Sequence, residues 1–461
     1  MTSIKLTRLI VGLALLFSPS SALAHARLLR SDPAEGSRIV SPQWIILWFS
    51  ERPEITLSSA VLKDQSGKDF PVGPWKARAD NPRAMTIPVV ETLAPGTYTL
   101  AWRTAASDGH PSRGTFSFTV VAAPPVIGAA PPRASAGNLG QPEQPDTAPT
   151  LSSESTDDTD QAWSTISSLA RAVSFAGILL VIGVTVFNIL VVSRCPQIGS
   201  DLVGRMESRA GIVGTAASIL VLLGAFGRLK LESMMMADMP DMKTMTMSDM
   251  AAHTRWGFAL ELQIIAASLA LIAFAVGIKR VRGAWLLASI CAAVLAFTPA
   301  LAGHAAASPR SPSLMVINDF FHVVGASSWL GNLLCVMMIG VPIALRSERP
   351  EPWKPIAALV NAFSSVAIVS VTIVLLSGVI ASWVHLDGLS ALWTTDYGRV
   401  LLVKVALVLV TLLVGAYNFK RVQPQLIHRE GSSRLRLSAA VELLIGGLVI
   451  IATGFLTGIS P

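Results

Sequence analysis

Two patterns of hydrophobic and polar positions divide the 461-residue chain. Up to about residue 122, short runs rich in β-branched and aromatic residues alternate with turn residues. This pattern is typical of strands, and it contains no convincing helical periodicity. The runs cover residues 44–49, 55–62, 84–90, 96–104 and 114–121. About a hundred residues of this kind predict an all-β sandwich.

Beyond residue 163 the chain becomes a series of long apolar runs. Each approaches or exceeds the roughly 20 residues that span a bilayer. There are eight, at 163–192, 209–229, 256–278, 284–303, 314–344, 356–384, 399–419 and 437–459. We therefore predict an all-α bundle of eight transmembrane helices over residues 163–460. The intervening residues 123–160 are rich in Pro, Ala, Ser and acidic side chains, which predicts a disordered linker.

The first 24 residues have the pattern of a secretory signal. Lys5 and Arg8 precede an apolar core at residues 9–17 that is too short to cross a bilayer. The residues Ala22, Leu23 and Ala24 fit a cleavage site with small residues at alternate positions. We expect cleavage after Ala24, so that residues 25–122 form an exported domain.

Basic residues between the apolar runs predict the orientation of the bundle. Fourteen Lys and Arg residues lie in alternate gaps, whereas the other gaps hold only Lys230, Lys243, Arg255 and Arg310. The positive-inside rule places the basic gaps in the cytoplasm. An exported domain ahead of the first helix requires the same orientation. Both mature termini are then expected on the outer side.

Composition narrows the class of protein. Only 14% of residues are charged, against about 25% in soluble domains. The net charge of +7 comes mainly from the gaps, so we interpret it as a topology signal and expect no nucleic-acid partner. Cys195, Cys291 and Cys335 form no CxxC pattern and predict no disulfide framework. We find no nucleotide-binding motif, and we expect neither an ATP-driven pump nor an enzyme.

Asp108 and His110 lie between the last two predicted strands. Two residues apart in an extended backbone, their side chains share one face. A carboxylate and an imidazole provide half of a divalent transition-metal site, although a turn with a surface histidine is the commoner interpretation of these residues alone. Signal cleavage would add the α-amine and imidazole of His25. Three nitrogens and one oxygen suit tetragonal Cu(II).

Eight of the fourteen methionines cluster between the second and third apolar runs. They alternate with Asp and Lys, in a segment expected on the outer side, which argues against simple core packing. Thioethers are soft ligands that favour Cu(I), although a Met-rich protein-binding surface is the alternative. The candidate Cu(I) capture loop comprises Met234, Met235, Met236, Met239, Met242, Met245, Met247, Met250 and His253.

Three histidines lie near the outer ends of predicted helices. His304 and His385 fall at helix ends, and His322 about two turns into the fifth helix. Asp319 precedes His322 by three residues on the same helix face, and Met315 lies one turn earlier. Polar groups inside a bilayer are costly and mark candidate functional sites, although each histidine alone could serve a structural hydrogen bond. We expect these five side chains to form a vestibule at one depth.

Four stretches of the first part of the chain are distinctive, namely 25–36, 47–51, 95–102 and Ser107-Asp108-Gly109-His110-Pro111 followed by 114–120. Their resemblance is to the CopC family of periplasmic copper-binding proteins. It implies a cupredoxin-like (Ig-like) sandwich whose Cu(II) site carries over to His25, Asp108 and His110. Glu51 is a weaker candidate, because some members place an acidic residue nearby. Met85 alone is not taken to represent a Met-rich site.

Within residues 163–460, three segments are distinctive, namely 302–304, 319–322 with 329–331, and 393–398 extending through Lys404 to Asn418. Their resemblance is to the CopD family of copper-resistance membrane proteins. The resemblance implies an eight-helix bundle associated with copper uptake, in a fused CopC–CopD arrangement known in bacteria. It places the protein in the bacterial inner membrane with its first domain in the periplasm. A periplasmic copper chaperone or a reductase is a candidate partner; the oligomeric state is left open.

Three functions stay open at this point. In the first, the chain captures periplasmic copper and moves it inward. In the second, paired histidines hold haem and the protein reduces copper. In the third, it sequesters copper or delivers it without transport. The pattern does not indicate what reduces Cu(II).

The proposed use of the free amine predicts a sensitivity at the mature N-terminus. A form carrying one extra residue before His25 should lose most of its Cu(II) affinity, because its terminal amine can no longer close a chelate ring with the imidazole. Copper titration of the two forms measures this. Equal affinities would rule out the amine as a ligand.

Overall fold

The computed structural model describes residues 28–50, 52–55, 58–105, 111–122, 158–237, 255–303, 311–348, 350–386, 388–427 and 431–459. Its first part is a sandwich of nine strands, which confirms the predicted fold class. The strands are β1 Leu28–Asp32, β2 Arg38–Ile39, β3 Trp44–Phe49, β4 Ser59–Asp64, β5 Asp69–Phe70, β6 Lys76–Ala77, β7 Ala84–Pro88, β8 Gly96–Ala105 and β9 Pro111–Val120. One sheet has the order β1-β3-β7-β6 and the other β2-β9-β8-β4-β5.

Alternation along the strands directs large side chains between the two sheets. Phe49 and Trp102 meet edge to face with ring centroids 5.1 Å apart. Trp102 pairs across the strands with Gly114. A Cβ at Gly114 would lie 2.7 Å from the Trp102 ring, so this position has no room for a side chain. Met85 is fully buried in the same core, which is a packing role.

The long β8–β9 hairpin forms the edge at which the predicted ligands lie. Thr104 faces Ser112 and Ala105 faces Pro111, so both ends of the 106–110 segment are held by a regular antiparallel ladder. Strand β9 begins three residues earlier than the expected position 114.

Eight helices long and apolar enough to cross a membrane follow, as predicted. They are α1 Asp158–Val186, α2 Ser200–Ala237, α3 Arg255–Gly277, α4 Arg282–Ala302, α5 Pro312–Ala326, α6 Trp353–His385, α7 Asp396–Tyr417 and α8 Gly431–Leu456. We call outer the end of the bundle that holds the start of α1 and the end of α2. A single-turn helix, Ala391–Thr394, precedes α7.

Several of the helices continue through π-helical turns. Helix α1 is extended by one at Phe187–Val191. Helix α5 continues through two, at Ser327–Gly331 and Val336–Gly340, and reaches Leu345. Helix α7 is extended at Asn418–Val422. Such turns occur often at functional sites because they interrupt the regular helix face.

Small residues and one buried arginine close the bundle around α1. Gly183 of α1 and Gly331 meet so closely that a Cβ on Gly183 would lie 2.4 Å from the Gly331 backbone. Arg171 is buried and donates from Nε to the carbonyl of Gly454, at the last turn of α8, over 3.2 Å. A cation at a helix C-terminus complements the helix dipole. Arg171 thus joins the first and last helices.

The predicted Met loop requires a correction. Helix α2 runs to Ala237, so Met234, Met235 and Met236 belong to its last turns rather than to a loop. Leu, Glu, Lys and Met are good helix formers, and no Gly or Pro interrupts residues 228–237. The rest of the predicted loop, from Met239 to His253, lies outside the described residues.

The tight Trp102–Gly114 pair predicts a local destabilisation. Replacing Gly114 with Ala should cost about 1–3 kcal/mol, because the Trp102 ring has to move inside a packed core. Gly96→Ala is the matched control in the same hairpin, since its Cβ would meet only ordinary contacts near 3.9 Å. Hydrogen exchange across β8 and β9 in the full-length protein compares the local stability of the two variants. Equal protection in both would contradict the tight packing of Gly114 against Trp102.

Candidate functional site

The four predicted Cu(II) ligands of the sandwich, His25, Glu51, Asp108 and His110, lie outside the described residues. Their grouping stays a prediction. The structure does define the frame on either side of Asp108 and His110, because β8 ends at Ala105 and β9 begins at Pro111.

Ala105 shows what this edge of the sandwich contacts. Along β8, residues 98, 100, 102 and 104 are buried in the core, whereas 97, 99, 101 and 103 are partly exposed. Ala105 continues the partly exposed series, yet it is fully buried. It packs in one cluster with Ala225 of α2 and with Trp256 and Leu260 of α3. The membrane helices therefore cover the edge that carries the predicted Cu(II) ligands.

Charged groups accompany this contact. The backbone N–H of Glu54 donates to the Ala105 carbonyl over 2.9 Å. Burial raises the pKa of the Glu54 carboxyl, and the positive charges of Arg52 and Arg255 partly offset this. Arg255 is the first residue of α3, so the sandwich and the bundle meet through complementary charges as well as apolar surface.

The predicted Cu(I) loop is attached to the same helices. It begins at the end of α2, where Met234 is 40% exposed, and it ends at the start of α3. Trp256 is the second residue of α3, so the α3 end of the loop lies next to the sandwich edge. On α2 the contact is at Ala225, nine residues, roughly 14 Å, before Met234.

His322 is positioned by the neighbouring helix α6. Its Nδ1 lies 2.9 Å from the hydroxyl of Ser377. That hydroxyl donates to the Ile373 carbonyl over 2.6 Å, so it accepts from His322. The Nδ1 atom therefore carries the proton, and Nε2 keeps its lone pair. An imidazole held in this way presents Nε2 to a metal.

His385, at the outer end of α6, is held in the same tautomer. Its Nδ1 lies 2.8 Å from the Ala381 carbonyl, which can only accept. Its Nε2 is thus the free ring nitrogen, and its ring centroid lies 6.5 Å from that of Tyr397. Both described histidines of the predicted vestibule therefore offer Nε2 as a ligand atom.

The predicted vestibule at one depth stays a prediction for its described members. His322 contacts Ser377, whereas the His385 ring bends back to the Ala381 carbonyl. The two rings therefore meet α6 four residues, roughly 6 Å, apart along its axis. Met315 is buried against Ala300, Val316 and Val384. In the part of the chain that the structure describes, no three His, Cys, Asp or Glu side chains form a metal-binding group. His304 lies outside that part.

Asp319 connects the two levels. Its carboxylate interacts electrostatically with Tyr397 and with Lys404 on α7. Lys404 also interacts electrostatically with His322. The Asn318 amide adds a bond to the Ser377 carbonyl over 3.1 Å, which ties α5 to α6. These contacts join the levels of the two histidines into one series of polar side chains.

This series continues along α7. Tyr397, Lys404, Thr411 and Asn418 recur every seven residues in an otherwise apolar helix, which places them on one face. Ser377, Thr411 and Glu442 are not among the candidate residues predicted from the sequence. The seven-residue spacing of polar side chains was the available signal.

The series ends at a buried carboxyl group. Glu442 of α8 is 3% exposed and accepts from the indole N–H of Trp329 over 3.1 Å and from the Asn418 amide over 3.0 Å. Both donors lie in π-helical turns. We call the side chains of Asp319, His322, Ser377, Tyr397, Lys404, Thr411, Trp329, Asn418 and Glu442 the polar column.

Three segments of the chain match known families. Residues 28–121 match the CopC domain, 160–312 match the N-terminal domain of copper resistance protein D-like proteins, and 357–456 match copper resistance protein D. The chain belongs to the fused CopC–CopD copper proteins. It is thus a multi-pass membrane protein of a copper resistance and transport family.

Individual relatives agree with this assignment. Copper transport protein CutJ of Bacillus subtilis is 25% identical over 466 residues, covering 98% of this chain and 77% of CutJ. Protein YobA of Escherichia coli K12 is 33% identical over 101 residues, which cover 22% of this chain and 82% of YobA. Copper resistance protein C of E. coli is 37% identical over 106 residues, covering 22% of this chain and 84% of that protein.

Solved structures match the sandwich part of the chain. CopC from Methylosinus trichosporium OB3b is 33% identical and has a TM-score of 0.20, covering 21% of this chain and 93% of that one. The methionine-rich copper resistance protein PcoC from E. coli is 37% identical with a TM-score of 0.19, covering 21% and 99% respectively.

The buried position of Ala105 generates a prediction about docking. Ala105→Glu should detach the sandwich, because a charged side chain has no place among Ala225, Trp256 and Leu260. Hydrogen exchange at the outer ends of α2 and α3 should then rise. Ala101→Glu, on the same strand face but partly exposed, is the control. Unchanged protection in the Ala105 variant would show that the contact is not maintained in solution.

Proposed function

We propose that this protein binds copper in the periplasm and conducts it inward across the inner membrane. The arrangement comprises a signal peptide (1–24), a copper-binding sandwich (25–122), a linker (123–160) and a membrane bundle (163–460). Membership of a copper resistance and transport family supports copper as the cargo. We assign no catalytic reaction to the chain.

The observation that carries this proposal is the polar column. Uncompensated polar side chains in a bilayer are costly, and they mark ion pathways by default. Here they extend from His385 and Tyr397 at the outer end to Glu442 and Asn418 in the inner half. A protein that only stored copper in its periplasmic domain would need no such path.

The steps follow from ligand chemistry. Cu(II) would bind His25, Asp108, His110 and, more weakly, Glu51. The sandwich edge contacts α2 and the start of α3, so the metal would be released where the methionine segment joins α3. Thioethers select Cu(I), so reduction would precede this step, with a partner protein as the electron source. Cu(I) would then pass His304 and Met315 to the Nε2 atoms of His385 and His322.

The orientation belongs to the same proposal. The sandwich contacts the bundle at the end of α2 and the start of α3, the side that the signal peptide and the positive-inside rule assign to the periplasm. Both mature termini would then be periplasmic.

A haem-binding reductase is the other function considered for the histidines. Two axial ligands of one haem have to face each other across the ring. His322 bonds directly to Ser377 of α6, the helix that carries His385, which leaves no space for a macrocycle between α5 and α6 at that level, so this pair does not favour it. A Soret band in the visible spectrum of the purified protein would revive the reductase.

Transport predicts a defect in one histidine variant. His322→Ala should lower copper uptake into proteoliposomes at least tenfold, because it removes the ligand that joins the outer and inner parts of the polar column. Ser377→Ala should cause a smaller loss, since it only releases the ring from its orientation. His428→Ala is the control, because the sequence assigns that residue to a solvated cytoplasmic gap. Normal uptake by the His322 variant would refute the proposed path.

A further inference from the structure

Glu442 is a buried carboxyl group whose described hydrogen-bond partners are both neutral. Among the described residues, its carboxylate oxygens contact two neutral N–H donors, and it takes part in no ion pair. It lies eight residues, roughly 12 Å, from Arg434 at the inner end of α8. A carboxylate held at such depth by neutral donors alone is costly unless a cation accompanies it. The nature of that cation is the question.

The donor set argues against copper as the resident cation. Cu(I) favours thioether, thiolate and imidazole ligands, whereas this site offers carboxylate and amide oxygens and an indole N–H. The charged groups of the neighbouring segments do not contact Glu442 either. Arg171 of α1 contacts Gly454 near the outer end, and Lys404 of α7 lies two heptads from Asn418. The remaining ones, Lys420, Arg421, Arg434 and Arg436, lie at the inner ends of α7 and α8.

Asn418 can serve both protonation states of the carboxyl group. Its Nδ2 donates to Oε2 when Glu442 is ionised. When Glu442 is protonated, rotation of the amide by half a turn brings Oδ1 to the same place as an acceptor for the Oε2–H. In the described structure, Asn418 Oδ1 has no hydrogen-bond partner, so this rotation sacrifices no bond. The neutral amide of Asn418 can therefore hydrogen-bond to Glu442 in both its ionised and its protonated form.

A second buried amide, that of Asn332, also has hydrogen-bonding atoms without partners among the described residues. Asn332 lies three residues after Trp329 and is fully buried, and neither of its amide atoms has a partner among the described residues. Buried amides without partners are rare and indicate a place where a proton carrier or water completes the bonding.

We propose that Glu442 is a proton-binding site in the inner half of the bundle, and that its proton leaves when monovalent copper enters the polar column. The carboxylic acid becomes a carboxylate and the released proton passes to the cytoplasmic side. The incoming Cu⁺ replaces the lost positive charge, so the bundle never holds two uncompensated cations in a low-dielectric interior. The exchange of this proton for copper rests on the proposed transport, whereas the proton-binding site itself does not.

Infrared difference spectroscopy of the full-length protein in lipid tests the proton site. The wild type should show a protonated-carboxyl C=O band that shifts in heavy water. Glu442→Gln should lack that band, whereas Glu261→Gln, the same change at an exposed carboxyl of α3, should keep it. An unchanged band in the Glu442 variant overturns the proposal.

Addition of Ag(I), a redox-stable monovalent probe, tests the exchange. The band should bleach in the wild type, with about one proton released per protein. Metal uptake is measured on the same vesicles, so absent uptake would count against the proposed transport while the spectra still decide the proton site. Uptake without bleaching overturns the exchange.

Trp329→Phe keeps the test decisive should Glu442→Gln fail to fold. It removes one hydrogen bond to the carboxyl and keeps the acid itself, so the band should persist at a shifted frequency. An unshifted band would mean that it belongs to another group, and the proton site would be abandoned.

Discussion

Hydrogen bonding between helices in a medium without water governs the membrane half of this protein. Several polar side chains on α5, α6, α7 and α8 find their partners on neighbouring helices, because the lipid offers none. Ser377 orients His322, and Asn418 and Trp329 hold Glu442. The contacts that stabilise the bundle are therefore the same contacts that orient its polar side chains.

The sandwich adds a different kind of constraint. Ala105 of the sandwich is buried on α2 and α3. This contact places the β8–β9 hairpin beside the helices that flank the methionine segment. In the proposed transport, delivery of the metal would depend on this one small interface, in which Glu54 and Arg255 supply charge complementarity beside the apolar cluster.

Sequence patterns predict the fold well here, because both halves have strong periodicities. Residues 44–49 form the predicted strand, and all eight apolar runs become helices. The site was less predictable. The separate depths of His322 and His385 depend on which residue of α6 each one contacts, and that follows from helix packing. Met234 to Met236 looked like loop residues because they cluster with polar neighbours, although their helix propensity is high. The alternation along β8 predicts that Ala105 is partly exposed, so its burial could not be predicted from that strand.

The first π turn of α5, Ser327–Gly331, has a geometric consequence for the polar column. In a regular helix, His322 and Trp329, seven residues apart, would face the same neighbour. An extra residue in a helix rotates everything beyond it by roughly 100°. Accordingly His322 contacts α6, whereas Trp329 contacts α8. The polar groups thus change neighbours within two turns of α5, and a ligand that followed them would pass from the α6 side of this helix to its α8 side.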